Sequence, residues 1–175
     1  MAQRILYLGT DDGVLTLSVD EEKATVTHRG LPGWSIEELA LDPGDSSHVL
    51  AGTRGDGVWL SRDSGASWRK PSYGKPGPGK VRCLTVDPKE PRRVFAGTEP
   101  IEVFVSEDFG ANWLPIKSIR SLPFIDSVDY VTWAVEPHVG DIAVDPTDSG
   151  TMYVALQVGS IIKTSDGGVT WKRLD

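Results

Sequence analysis

The stretch Ser61-Arg-Asp-Ser-Gly-Ala-Ser-Trp68 decides the fold, because the chain writes it three times. Ser106-Glu-Asp-Phe-Gly-Ala-Asn-Trp113 and Thr164-Ser-Asp-Gly-Gly-Val-Thr-Trp171 share its pattern, Ser/Thr-x-Asp-x-Gly-x-x-Trp. Each fixed position has a task in a tight turn between two strands. The carboxylates of Asp63, Asp108 and Asp166 can accept hydrogen bonds from backbone N–H groups just downstream, as in Asx turns. Gly65, Gly110 and Gly168 supply a positive φ that other residues adopt only at a cost. Trp68, Trp113 and Trp171 open the returning strand and carry a large apolar surface to bury against a neighbouring repeat. These residues, with Ser61, Ser106 and Thr164, are assigned to structure and not to catalysis.

A longer unit surrounds each copy. A first strand ending in Asp-Pro precedes it, at 37–43, 82–88 and 141–146. A second strand ends in small residues, at 49–53, 94–98 and 152–156, and a third leads into the turn, at 57–60, 102–105 and 160–163. A fourth begins near each Trp. The opening segments 5–10 and 13–17 match a second and a third strand. Asp42 to Asp87 and Ser61 to Ser106 are both 45 residues, while Asp87 to Asp145 and Ser106 to Thr164 are both 58. The two markers stretch together, so an insertion of 58 − 45 = 13 residues lies between Trp113 and Asp141. Before the first full copy, Ser18-Val-Asp20-Glu-Glu22 keeps the Ser and Asp but has Glu22 in place of Gly, and reads as a degenerate fourth turn.

Four short strands per repeat of about 45 residues is the signature of a β-propeller blade. A parallel solenoid is the other candidate and would need shorter repeats. The expectation is an all-β fold of four-stranded antiparallel blades, nearly four in number, at 4–28, 35–70, 80–116 and 138–175, with an inserted loop at 115–138. Residues 1–175 then form a single partial propeller domain, one strand short of four blades. Either two copies associate as a homodimer that closes a ring, or C-terminal blades are missing. Uncovered blade faces would be an aggregation hazard, which favours association.

Composition narrows the partners. The chain has 39% hydrophobic and 25% charged residues, 19 Gly and 12 Pro, which suits short strands joined by turns. A formal net charge of −7 argues against nucleic acid or an anionic membrane as partner. The one basic stretch, Lys70, Lys75, Lys80 and Arg82, is interrupted by Pro and Gly and reads as a solvated loop. The single cysteine, Cys83, forms no intrachain disulfide and sits in an apolar alternation typical of a buried strand. No signal-peptide pattern or membrane-length apolar run is present, so a cytoplasmic protein is the expectation. His28, His48 and His138 are not at metal-ligand spacing, and neither a metal nor a cofactor is expected.

Alternating strands put the three turns at one end of the blades and the second-to-third loops, with the inter-blade loops, at the other. Propeller ligand sites lie at that second end. Asp11, Asp12, Arg54 and Gln157 come from second-to-third loops, and Trp34, Tyr130, Trp133 and His138 from inter-blade segments; these are the candidate ligand-binding residues. The 115–138 insertion is rich in apolar and aromatic residues, and inserted loops on rigid scaffolds often carry function. Acidic residues beside aromatic platforms suit a carbohydrate. A glycosidase would need two carboxyl groups about 5–5.5 Å or about 6.5–9.5 Å apart, for which Asp56, Glu99 and Glu102 are candidates. Each also fits an ordinary turn.

The repeated turn resembles the Asp-box, or BNR repeat, of sialidases, xyloglucanases, sortilin-type receptors, a photosystem II assembly factor and many uncharacterised bacterial propeller proteins. The resemblance spans nearly the whole chain and implies a propeller. Uncharacterised bacterial BNR-repeat proteins labelled glycosyl hydrolases are similar in two further phrases, Glu136-Pro-His138-Val-Gly-Asp141 and Val154-Ala-Leu-Gln157-Val-Gly159-Ser160. Sialidases bind a substrate carboxylate with three arginines and use a Tyr–Glu nucleophile pair, and Arg54 is the only arginine in a second-to-third loop here. Xyloglucanases carry two whole propellers with the cleft between them. The expected function is therefore a non-catalytic binding or interaction module, with carbohydrate or protein as partner. The alternative is a glycoside hydrolase, or a remnant of one, acting through paired carboxylates.

Overall fold

The computed structural model describes residues 4–71, 77–125, 136–157 and 160–174. They form four antiparallel sheets in chain order. The first holds β1 (Arg4–Thr10), β2 (Gly13–Val19) and β3 (Ala24–Gly30), and the second β4 (Ile36–Asp42), β5 (Asp45–Thr53) and β6 (Val58–Ser61). The third holds β7 (Lys80–Val86), β8 (Val94–Glu99), β9 (Glu102–Ser106) and β10 (Leu114–Pro115). The fourth holds β11 (Val139–Asp145), β12 (Asp148–Leu156), β13 (Ser160–Thr164) and β14 (Lys172–Leu174). In the second sheet the returning strand shrinks to one bridge, Leu60 to Arg69. A 3-10 turn at Lys117–Ser121 follows β10.

The three repeated turns share one hydrogen-bond scheme. The Ser61 hydroxyl donates to Asp63 at 2.9 Å and accepts from the Gly65 N–H at 2.8 Å, while Asp63 accepts from the Ser67 N–H at 2.8 Å. Ser106, Asp108, Gly110 and Asn112 repeat this, as do Thr164, Asp166, Gly168 and Thr170. Two successive left-handed residues make the reversal: Ser64 and Gly65, Phe109 and Gly110, Gly167 and Gly168. The first of each pair donates its N–H at or just before the start of its own sheet's second strand, to Ser47, Arg92 and Gly150. The turn at Asp20 departs from this scheme. Its carboxylate accepts from the N–H groups of Glu22 and Lys23, and no described residue from 20 to 23 is left-handed. Without a glycine the reversal takes an ordinary Asx form.

Sheets stack through a bulky–small alternation on each second strand. Tyr7 and Gly9, Leu50 and Gly52, Phe95 and Gly97 face the following sheet. A methyl group on Gly9, Gly52 or Gly97 would come within 2.9, 2.6 and 2.4 Å of Ile36, Val81 and Val139, first or second residues of the next first strand. Glycine there lets one backbone lie against a β-branched side chain of the next blade. Leu50, Leu60, Val81 and Phe104 fill the space between second and third sheets, and Phe95, Val139, Met152 and Ile162 that between third and fourth. Between first and second the buried cluster is small: Val14, Leu31 and Ala51. Trp113 is fully enclosed, whereas Trp68 and Trp171 are partly buried.

Candidate functional site

The ends of the sheets opposite the repeated turns are tied by loop-to-loop backbone bonds. Gly13 N–H donates to Trp34, Arg54 N–H to Ser35, Gly57 N–H to Gly79 and Gln157 N–H to His138. Each first strand carries one extra residue near its start. Ile36 pairs with Thr53 and Glu38 with Gly52, which leaves Glu37 unpaired in the ladder. Arg82 and Gly140 are the equivalent residues of β7 and β11. Bulges of this kind re-aim a side chain, and they recur beside functional sites.

The first two bulge residues are the centre of an ion-pair ladder. Arg54 Nε pairs with Glu37 Oε1, and Arg82 Nη1 reaches Glu37 Oε2 at 3.3 Å. Arg82 Nη2 lies 2.8 Å from Glu99 Oε2, Lys80 Nζ is 3.0 Å from Glu99 Oε1, and His138 Nδ1 is 3.9 Å from Glu99 Oε2. The ladder thus joins the second and third sheets and reaches His138, just before the fourth. Three permanent cations face two carboxylates, so it is locally positive in a chain of net charge −7. Burial pushes the Glu99 carboxyl up, but the Lys80 hydrogen bond and the charges of Arg82, Lys80 and His138 outweigh it and hold it below the usual range. Glu99 is therefore ionised at neutral pH.

Lys80 and Arg82 correct one expectation. They are strand residues of β7, not part of a solvated loop, and the Arg82 side chain is only 16% exposed. The signal was present in the repeat phase. Glu37 and Arg82 stand 45 residues apart, at the same repeat position with opposite charges. Glu37, the ladder's other centre, carried no site expectation at all.

The remaining candidates divide. Asp11 accepts from the Ser35 hydroxyl at 3.0 Å and Asp12 from the Gly33 N–H at 2.7 Å, so both brace the loop that presents the half-exposed Trp34. Asp56 is held by Lys70 and by the Trp59 indole N–H at 3.1 Å. Glu102 lies on a different small cavity of about 140 Å³, with Val103, Ile116, Lys117 and Arg120. Asp56 and Glu99 thus engage separate partners, and Glu102 lies on a third site. Tyr130 and Trp133 lie outside the described residues.

One carboxyl has the opposite character. Burial pushes Glu38 up, opposed by a hydrogen bond from the Leu39 N–H and reinforced by the charge of Asp141. Glu38 lines a cleft of about 210 Å³ with Gly9, Ile36, Glu37 and Leu39. Cys83, the β7 equivalent of Glu38, is buried, and burial pushes its thiol up to about 12. It is an inert wall residue.

Comparison with known proteins agrees with this architecture. No protein-family profile matches the chain. Xyloglucanase Xgh74A of Acetivibrio thermocellus is 28% identical over 145 residues, covering 81% of this chain and 13% of that enzyme. The chain spans only about an eighth of the length of the curated relatives it matches. An ancestral GH74 enzyme superposes with a TM-score of 0.67 at 20% identity, covering 97% of this chain and 22% of that one. Sqt1 of Chaetomium thermophilum gives 0.66 at 11% identity, over 96% of this chain and 42% of that one. YCF48 of Cyanidioschyzon merolae gives 0.55 at 18%, over 81% and 37%. Together with the four stacked antiparallel sheets, these likenesses make the fold an all-β propeller of nearly four blades.

Proposed function

We propose that this chain is a carbohydrate-binding propeller module of the Asp-box type, with the Arg54–Glu37–Arg82–Glu99–Lys80 ladder as its recognition surface. The observation that carries the reading is the ladder itself: alternating charged donors and acceptors across two blades, beside an exposed tryptophan. Such an array suits the dense hydroxyls of a sugar, and Trp34 offers an apolar plane for a sugar ring. The similarity to xyloglucanases supports a plant-type glucan as the first ligand to try. A non-catalytic role is supported by Glu99, which is ionised and paired and so cannot serve as a general acid.

A glycoside hydrolase remains the second reading, and Glu38 favours it. A carboxyl raised by burial, in a cleft and under the influence of a second carboxylate, is the pairing such enzymes use. Calorimetric titration of the chain with xyloglucan oligosaccharides, alongside a reducing-end assay, separates the two. Binding that weakens at least about tenfold in Arg82→Ala, without release of reducing ends, supports the module. Release of reducing ends that Glu38→Gln abolishes replaces it with the enzyme. Absence of both binding and turnover defeats the carbohydrate reading.

A further inference from the structure

The two outermost blade faces have the residue pattern of the interfaces inside the stack. Facing the following blade, the second strands read Tyr7-x-Gly9, Leu50-x-Gly52 and Phe95-x-Gly97, and β12 continues with Tyr153-x-Ala155. Its sheet partners on that face are Lys163 and Ile161, with Lys172 and Leu174 behind them. Facing the preceding blade, Val49-x-Ala51, Val94-x-Ala96 and Met152-x-Val154 are buried. The same positions of β1 are Leu6 and Leu8, paired with Leu17 and Leu15. Yet Leu6 is 46% exposed and Ile161 47%. Apolar faces of this extent on a repeat protein call for a cover.

We propose that a second copy of the chain covers them, the fourth blade of each copy packing on the first blade of the other to close an eight-bladed ring. Two features point to a copy of this chain over another repeat of the ordinary kind. The first is charge. Inside the stack, Thr16 on the third strand donates to the Ser64 carbonyl in the next blade's turn at 3.1 Å. The equivalent residue of the fourth blade is Lys163, whose ammonium sits 5.2 Å from the Tyr153 ring on the open face. The turn it would meet on the first blade of a second copy is Asp20-Glu21-Glu22, three exposed acidic residues. The second feature is Ala155. Glycine stands at the three equivalent positions because a β-branched residue of the next blade's first strand lies against it. The described first blade has no such strand, so a methyl group at 155 meets no side chain there. An ordinary four-stranded blade would bring a β-branched residue within clashing distance.

The contact is heterologous, and two copies related by a two-fold axis satisfy both faces at once. Four blades from each give eight, within the usual range for closed propellers. Closure would also wall the ladder into a channel. The proposal does not depend on what that channel binds.

Sedimentation equilibrium of the purified chain over a range of micromolar concentrations tests it. The expected result is a species of twice the chain mass, with nothing larger, that loosens as salt rises. Lys163→Glu, at a half-buried site on the open face, should weaken the dimer about tenfold with an unchanged far-ultraviolet dichroism spectrum. Adding Glu21→Lys and Glu22→Lys to that variant should restore it. Leu8→Glu should give a monomer. A monomer at every concentration overturns the proposal, as does a ladder of open polymers. A dimer indifferent to both Lys163→Glu and Leu8→Glu overturns it too. None of these outcomes bears on xyloglucan binding by the ladder, which is read separately by titration.

Discussion

The two ends of the blades are built on opposite plans. At the turn end, equivalent positions hold equivalent residues: Ser61, Ser106 and Thr164, or Asp63, Asp108 and Asp166, with the same hydrogen bonds each time. At the ladder end, the bulge positions hold different ones: Glu37, Arg82 and Gly140. Repetition marks what every blade needs in order to fold. Departure from repetition marks where blades contribute unlike groups to one shared surface.

Substitutions that break this division should be graded by the plan they touch. The largest loss is expected where blades meet. Gly97→Val forces a branched side chain into Val139 and Cys83, and should destabilise by about 3 kcal/mol, measured as a lowered urea midpoint. Next comes the repeated turn. Asp108→Ala removes the acceptor for the Ser106 hydroxyl, the Asn112 N–H and the Asn112 side-chain amide, at about 2 kcal/mol. The ladder should matter less to stability. In Arg82→Met, Glu37 keeps Arg54 and Glu99 keeps Lys80, so the urea midpoint should fall by no more than about 1 kcal/mol equivalent. A loss as large as that at Gly97 would mean the ladder is a structural brace and not a binding surface.

The smallest effect is in acid. The Asp166 carboxyl is drawn down to about 2 by the Thr170 hydroxyl, the Thr170 N–H and the Thr164 hydroxyl, and Asp63 is lowered by the equivalent Ser67 and Ser61 groups. A carboxyl lowered in the folded state stabilises it above its unfolded pKa of about 3.9. That contribution is lost as pH falls from about 4 toward 2. Asp166→Asn should therefore flatten the pH dependence of the thermal midpoint in that window and leave its slope above pH 5 unchanged.

The strands were legible because their markers recur in phase. Two distances of 45 residues and two of 58 locate the second, third and fourth sheets without reference to composition. The turns were equally legible, since their Asp and Gly have few other uses at that spacing. The Asp20 turn reads as a degenerate member of the set, and the structure shows what the missing glycine costs it: the left-handed pair. Trp34 and His138 were nominated from their place in inter-blade segments. Glu37 was not, because an extra residue in a strand leaves no trace in an alternation pattern until its partner strand is known. Arg82 read both as the opening of a strand and as part of a basic loop with Lys80, because the Pro and Gly before them masked where β7 begins.

The bulges give the first strands a degree of freedom that the rest of the blade lacks. A ladder residue must fit its cross-strand neighbour and the sheet above it, so its identity is bound to the stack. Glu37, Arg82 and Gly140 have no cross-strand partner, and an acid, a base and a glycine occupy the same geometric slot without altering the register on either side. The slot behaves as an interchangeable socket. What a blade presents at that end can be rewritten there while its instructions for folding stay as they are.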